Sequence, residues 1–182
     1  MYLNTHSYYS LRYGTMLPET LLKQSQQMGV SAMALTDINS TSASLDFVRL
    51  AEKYKGLGSI LGVDFRNGVQ QRFVMLAENN HGFYQLNRYL SALLHADRFF
   101  VPERAPQLEN TFVIYPFQKE EFSLCENEFI GVRPADINQL KFSKWYACQE
   151  KLVLLKTVSF LLIIKRRITH TAYCGLSITI PC

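Results

Sequence analysis

Short apolar runs and helix-spaced apolar positions take turns along the first 95 residues. Met1–His6 predicts a short strand. Pro18 suits the first turn of a helix, where its missing N–H is unpaired in any case. Leu21, Leu22 and Met28 then form an apolar face, and Gly29 ends it. Ala32–Leu35, an apolar run bounded by Ser31 and Thr36-Asp37, predicts a buried strand. Phe47, Leu50, Ala51 and Tyr54 fall at i, i+3, i+4 and i+7 and predict an amphipathic helix closed by Gly56 and Gly58. Ile60–Val63 and Phe73–Ala77 predict two more strands, with Asn67-Gly68 as a hairpin-turn signal between them. Asn79 or Asn80 caps a helix carrying Phe83, Leu86, Leu90, Leu93 and Leu94 on one face.

Residues 96–110, with Pro102 and Pro106, predict a loop. Strands follow at Phe112–Tyr115, Phe129–Val132 and Leu152–Leu155, with a short helix after Pro134 through Ile137 and Leu140. Such alternation predicts an α/β fold with a parallel sheet, open or closed into a barrel. Parallel barrels carry their functional groups at the C-terminal ends of the strands. His6, Asp37 and Asp64 stand at those positions and are expected at one edge.

Composition narrows the classes. With 48% hydrophobic and 19% charged residues among 182, the chain is globular rather than disordered. Its four cysteines, at 125, 148, 174 and 182, form no C-x-x-C pair, which excludes a disulfide-dense scaffold and a zinc ribbon. The net charge of +4 is unevenly spread: residues 1–150 hold 14 Lys/Arg against 15 Asp/Glu, and residues 151–182 hold 5 Lys/Arg and no acid. The body therefore has no broad nucleic-acid footprint. Met1 to Gly14 lacks the apolar segment of a signal peptide. The apolar run Phe160–Ile164 falls far short of the ~20 residues of a membrane helix, so a cytoplasmic, membrane-free protein is expected.

Asn4-Thr5-His6-Ser7, with Ser10 and Gly14 following, resembles the opening H-x-H-[ST] motif of the PHP (polymerase and histidinol phosphatase) superfamily. Ala34-Leu35-Thr36-Asp37 resembles its T-D-H motif, and Gly62-Val63-Asp64 its G-x-E. Residues 73–91, FVMLAENNHGFYQLNRYLS, resemble a segment of one branch, the PHP domain at the N-terminus of bacterial DNA polymerase III alpha subunits. The spacing L-A-x-N-x-x-G-[FY]-x-x-L is the most discriminating part. The resemblance covers about residues 1–160. It implies a distorted TIM-like (βα)7 PHP barrel, incomplete at its C-terminus. The implied domain organisation is a partial PHP domain over 1–160 and an atypical tail over 161–182.

Intact family members hold a divalent metal (Mg, Mn or Zn) through His, Asp and Glu at several strand ends, and the metal activates water for phosphoester cleavage. This chain departs from that pattern repeatedly. The leading His is Asn4, the His after Asp37 is Ile38, the Glu of G-x-E is Asp64, and the His before the fourth strand's apolar run is Arg72. The late Asp-x-His pair has no counterpart, since Ile168 precedes His170 by two. The expected remnant of the site is thus Asn4, His6, Asp37, Asp64 and Arg72, with His6, Asp37 and Asp64 the residual metal candidates and no intact cofactor site. Plainer readings stand beside it: a hydrogen-bonded strand-end His6, a helix-capping Asp37, and Asp64 as a turn residue. Arg72 is expected either to pair with Asp37 or Asp64, replacing the lost cation, or to lie solvated on the surface. Tyr8, Tyr9 and Tyr13 cluster near the first motif, either over the barrel mouth or as a base-stacking surface.

The resemblance implies that the parent is a replicative DNA-directed DNA polymerase. This part would be a degenerate, non-polymerising structural or docking module. Its partners would be other replicase subunits, including a proofreading exonuclease subunit, and DNA through the polymerase domains. The alternative is a stand-alone PHP metal-dependent phosphoesterase. The acid-free stretch after Phe160 carries no family pattern, and truncation or a reading-frame shift near residue 160 is expected.

Overall fold

The computed structural model describes residues 1–118 and 122–158. Strand–helix alternation is realised as β1 (Tyr2–Thr5), α1 (Pro18–Gln27), β2 (Ala32–Leu35), α2 (Ser44–Ala51), β3 (Gly58–Asn67), β4 (Gln70–Ala77) and α3 (Asn80–Leu94). β5 (Thr111–Pro116), β6 (Glu128–Val132), α4 (Ile137–Leu140), β7 (Leu152–Leu154) and β8 (Thr157–Val158) follow. The expected tail at 161–182 lies outside the described residues.

All eight strands join one sheet, in the order β7-β6-β5-β4-β3-β2-β1-β8. β4 is antiparallel to both neighbours, and the remaining pairs are parallel. A wholly parallel sheet is therefore corrected to a mixed one. The reversal comes from the β3–β4 hairpin, whose two-residue loop is Gly68-Val69. Gly68 has φ +59°, at the first loop position, where a type II′ turn favours glycine. Asn67 is the last residue of β3, and its side-chain amide clamps both the N–H and the carbonyl of Val101 at 2.8 Å. That clamp pins the 96–110 loop to the hairpin.

The sheet must curl. Laid flat, eight strands would hold their edges about 33 Å apart. The edge strands β7 and β8 are consecutive in the chain, separated by Leu155 and Lys156. Three Cα steps span at most about 11 Å. Only a barrel-like curl lets residues 152–158 pair with β6 at one end and β1 at the other. The fold is thus α/β and barrel-like, as the sequence implied.

Three apolar clusters follow from the curl. Leu3, Ala34, Val74, Leu76, Ile114 and Val153 face one another inside it. Leu21, Leu22, Phe47 and Ala51 press α1 and α2 against the outside of β2. Phe65, Phe73, Met75, Leu86 and Tyr115 form the cluster under α3.

The polymerase-type segment has a local physical meaning. Asn79 caps α3, its side chain accepting from the Gly82 N–H at 3.0 Å. Gly82 lies so close to the Asn110 main chain that a Cβ there would overlap the Asn110 carbonyl oxygen. Helix propensity alone would favour alanine at this position by about 1 kcal/mol, but the backbone overlap reverses the sign. Gly82→Ala should lower stability by about 2–3 kcal/mol in urea unfolding, and Asn79→Ala by about 1 kcal/mol.

Candidate functional site

β1 and β2 end side by side, with Thr5 opposite Leu35, and each delivers polar residues to the same barrel end. Asn4, Thr5, His6, Ser7, Ser10, Thr36, Asp37 and Asp64 are all buried there. Polar side chains at that depth require partners.

Asp37 takes its partners from the loop after β1. Its Oδ1 accepts from the Ser7 N–H at 2.7 Å and the Ser10 hydroxyl at 2.6 Å, and its Oδ2 accepts from the Ser7 hydroxyl at 2.6 Å. Both oxygens are occupied in holding the loop. Asp37 caps no helix: α2 begins after Ala43, which provides no side-chain cap.

Asp64 is the centre of the site. Its Oδ2 accepts from four donors: His6 Nε2 at 3.0 Å, Arg66 Nε at 3.1 Å, Arg66 Nη2 at 2.8 Å and Gln71 Nε2 at 2.9 Å. Burial opposes ionisation of Asp64, but the His6 and Arg66 hydrogen bonds and the Arg66 charge outweigh it and hold the carboxyl below its usual range. Arg66 is itself fixed three ways. Its N–H donates to Asn39 Oδ1 and its carbonyl accepts from Asn39 Nδ2, both at 2.9 Å, while its guanidinium lies 4.9 Å from the centre of the Tyr13 ring. Ile38 forms a parallel backbone bridge with Asp64.

Arg72 does not reach this centre. It donates to Glu103 at 3.2 Å, and the Glu103 side chain is 82% exposed. The cause is a one-residue register shift: Phe65 pairs with Phe73, but Arg66 pairs with Gln71, so Arg72 is an extra residue on β4. The bulge turns Gln71 inward and Arg72 away. The cation beside Asp64 is therefore Arg66. Its sequence signal was the two-residue spacing of Gly62, Asp64 and Arg66, which puts all three on one strand face.

Asn4 is satisfied at both ends of its amide. It accepts from the Thr36 hydroxyl at 3.0 Å and donates to Thr157 Oγ1 at 3.1 Å. Of the tyrosines, Tyr13 covers Arg66, while Tyr8 and Tyr9 are exposed with ring centres 4.4 Å apart. A third buried carboxylate, Glu128, was not anticipated. It accepts from Arg104 and from the Tyr115 hydroxyl at 2.8 Å each, and from the Cys125 N–H at 2.9 Å. Burial, with that bond to Glu128, pushes the Tyr115 hydroxyl well above its usual range. This cluster ties loops to the sheet exterior and lies apart from the Asp64 centre.

Comparison with known proteins gives a match to the PHP domain family model over residues 3–146. The chain is 32% identical over 92 residues to the DNA polymerase III subunit alpha of Buchnera aphidicola subsp. Schizaphis graminum, covering 47% of this chain and 8% of that protein. It is 30% identical over 92 residues to the same subunit of Buchnera aphidicola subsp. Acyrthosiphon pisum, with the same coverage. The chain thus matches a small part of the length of these relatives. Among solved structures, a protein described as a metal-dependent phosphoesterase from Bifidobacterium adolescentis aligns at TM-score 0.36 and 22% identity, covering 50% of this chain and 33% of that one.

The residues present do not fit a family-type metal. Among the described residues no three His, Cys, Asp or Glu side chains are grouped to hold one. Asp37 has both oxygens taken, and Asp64 carries a guanidinium against the oxygen a cation would need. His6 Nδ1 and Asp64 Oδ1 are buried without hydrogen-bond partners, and these two atoms fall short of the four-ligand set of a protein-held Zn site.

Two outcomes follow. Arg66→Met removes the guanidinium from buried Asp64, leaving it His6 and Gln71 alone, and should lower stability by about 3–5 kcal/mol, whereas Arg72→Met should change it by no more than about 1 kcal/mol; chemical denaturation of both variants measures the contrast. Asp64 has a depressed folded-state pKa, so its contribution is complete above the unfolded value and is lost as pH falls through the folded one. Unfolding midpoints of the native chain should drop below about pH 4, and Asp64→Asn should flatten that slope.

Proposed function

The chain belongs to the PHP domain family, and we propose that it is a metal-free structural and docking module of a replicative DNA polymerase III alpha-type subunit. The observation that carries this reading is the Arg66 guanidinium seated on Asp64 Oδ2 at 2.8 Å. A fixed positive charge bonded to the carboxylate takes the role a metal has in catalytic relatives. It holds the strand ends together and provides no Lewis acid and no activated water.

Support for the polymerase branch comes from the residues 73–91 segment, with its capped helix and the glycine contact behind it. The parent would extend DNA by nucleotidyl transfer through domains beyond this one. This chain would take part by contacting other replicase subunits, a proofreading exonuclease subunit among them. No helix among the described residues is long and apolar enough to cross a membrane.

Metal retention and turnover test the reading. The chain is incubated with Mn²⁺, Mg²⁺ or Zn²⁺, dialysed, and assayed for bound metal and for hydrolysis of p-nitrophenyl phosphate. Substoichiometric metal and no hydrolysis are expected. Stoichiometric metal with turnover abolished by His6→Ala would replace this reading with a stand-alone phosphoesterase.

A further inference from the structure

We propose that the open base of the barrel, at the end opposite the Asp64 centre, binds a small apolar ammonium compound. Glu78 receives the ammonium, and a floor of Leu3, Leu76, Ile114 and Val153 receives the apolar group. This goes beyond the docking reading and shares no residue with the Asp64 centre.

The cavity there measures about 250 Å³. Its floor is the inward face of the barrel, since Leu3, Leu76, Ile114 and Val153 all belong to the interior cluster. Its walls are Met1 and the half-buried Ile60, Phe112 and Phe129. These side chains come from the N-terminal parts of β1, β3, β5 and β6, and Leu76 comes from the C-terminal part of the reversed β4. The next layer of the barrel is filled to its limit. Gly62 and Gly131 follow Ile60 and Phe129 by two residues and share their face. A Cβ at Gly62 would overlap the Met75 carbonyl oxygen, and one at Gly131 would overlap the Leu155 side chain. The space therefore lies in the base layer alone, where apolar side chains stop short of closing the barrel. Covering that concave apolar surface removes it from water, which favours an apolar occupant in proportion to the area covered.

Charge decides the class of ligand. Among the described residues, Glu78 is the single ionisable side chain of the lining. It continues the inward line of β4, two residues beyond Leu76 and four beyond Val74. Its main-chain N–H donates to the Asn110 carbonyl at 2.9 Å, which holds the residue at the rim. No Lys, Arg, His or N-terminal ammonium among the described residues forms an ion pair with its carboxylate. Lys151, whose ammonium lies 5.3 Å from the centre of the Phe129 ring, donates instead to the carbonyls of Cys125 and Glu126. Phe112 pairs with Leu76 across β4 and β5, so its ring stands close to Glu78 and offers a π-face to a cation. An apolar floor with one uncompensated carboxylate at its mouth is complementary to an apolar group carrying one positive charge. A neutral molecule gains the apolar contribution alone, and an anion is repelled by Glu78.

Titration of the full chain with phenethylamine hydrochloride at neutral pH tests this, followed by NMR of isotope-labelled methionine methyl groups. Met1 lines the cavity, while Met28 lies exposed outside it. Saturable movement of the Met1 methyl signal, with the Met28 signal unmoved, is expected at a dissociation constant of about 1 mM. The neutral isostere phenethyl alcohol should bind about three- to fivefold more weakly, the difference an exposed ion pair makes, and phenylacetate more weakly again. Methylammonium, which has no apolar group to bury, should not saturate. Glu78→Gln should bring the amine to the level of the alcohol and leave the alcohol unchanged. Glu78 is exposed and its printed bond is made by the main chain, so this variant decides the matter even where a cavity variant fails to fold. Ile60→Trp, which fills the cavity from its rim, should abolish saturation. Absence of saturation up to about 10 mM amine, phenylacetate binding as well as the amine, saturation by methylammonium, an amine-to-alcohol ratio that survives in Glu78→Gln, or unchanged binding in a folded Ile60→Trp would each overturn the proposal. EDTA in every sample keeps these outcomes separate from metal retention at the Asp64 end.

Discussion

An ionised carboxylate inside a barrel persists only if donors surround it, because an unpaired buried charge costs several kcal/mol, a large share of a domain's net stability. Asp64 meets this condition through a single oxygen, and the barrel end is arranged around it. His6 comes from the end of β1, Arg66 from β3 and Gln71 from β4. Each reaches the carboxylate only if its strand holds its register. The register shift that leaves Arg72 unpaired on β4 is part of the same arrangement, since it brings Gln71 to the inner face. Asn39 then locks the Arg66 backbone from outside the sheet, and Tyr13 covers the guanidinium. Topology and electrostatics are therefore one constraint here: shift a strand by one residue and the charge loses its partners.

Much of the fold was legible in the chain. Apolar period and capping residues located β2, α1, α3 and β5 to within a residue or two. β3 was shortened to Ile60–Val63 because the apolar pattern ends where Asp64 and Arg66 begin, although the strand runs to Asn67. Strand-interior polar residues break an apolar run, so this error falls at the site itself. The Asn67-Gly68 signal did mark a hairpin, one position early, but its meaning for a parallel sheet became clear only from the pairing of β4. β8 is a two-residue strand made by barrel closure and has no local pattern to betray it. The Asp64 partners were partly legible. His6 was expected near Asp64, whereas choosing between Arg66 and Arg72 required a bulge that no propensity predicts.

Positions 4, 38 and 64 form a connected set. Asn4 has an amide that accepts from Thr36 and donates to Thr157, linking the two. Ile38 contributes backbone rather than side chain, bridging Asp64. Asp64 accepts from the Arg66 guanidinium, which comes from two residues along the same strand. A metal and an arginine satisfy a buried carboxylate by similar electrostatics, yet they differ in consequence. The metal has open coordination positions for water and substrate, while the arginine presents fixed donors and exchanges nothing.

The same geometry separates the charges. Asp64 Oδ2 accepts from Arg66, and the neutral Gln71 amide stands between Asp64 and Arg133. Exposed single charges contribute little to stability, so structural integrity at this barrel end rests on the buried Arg66–Asp64 pair.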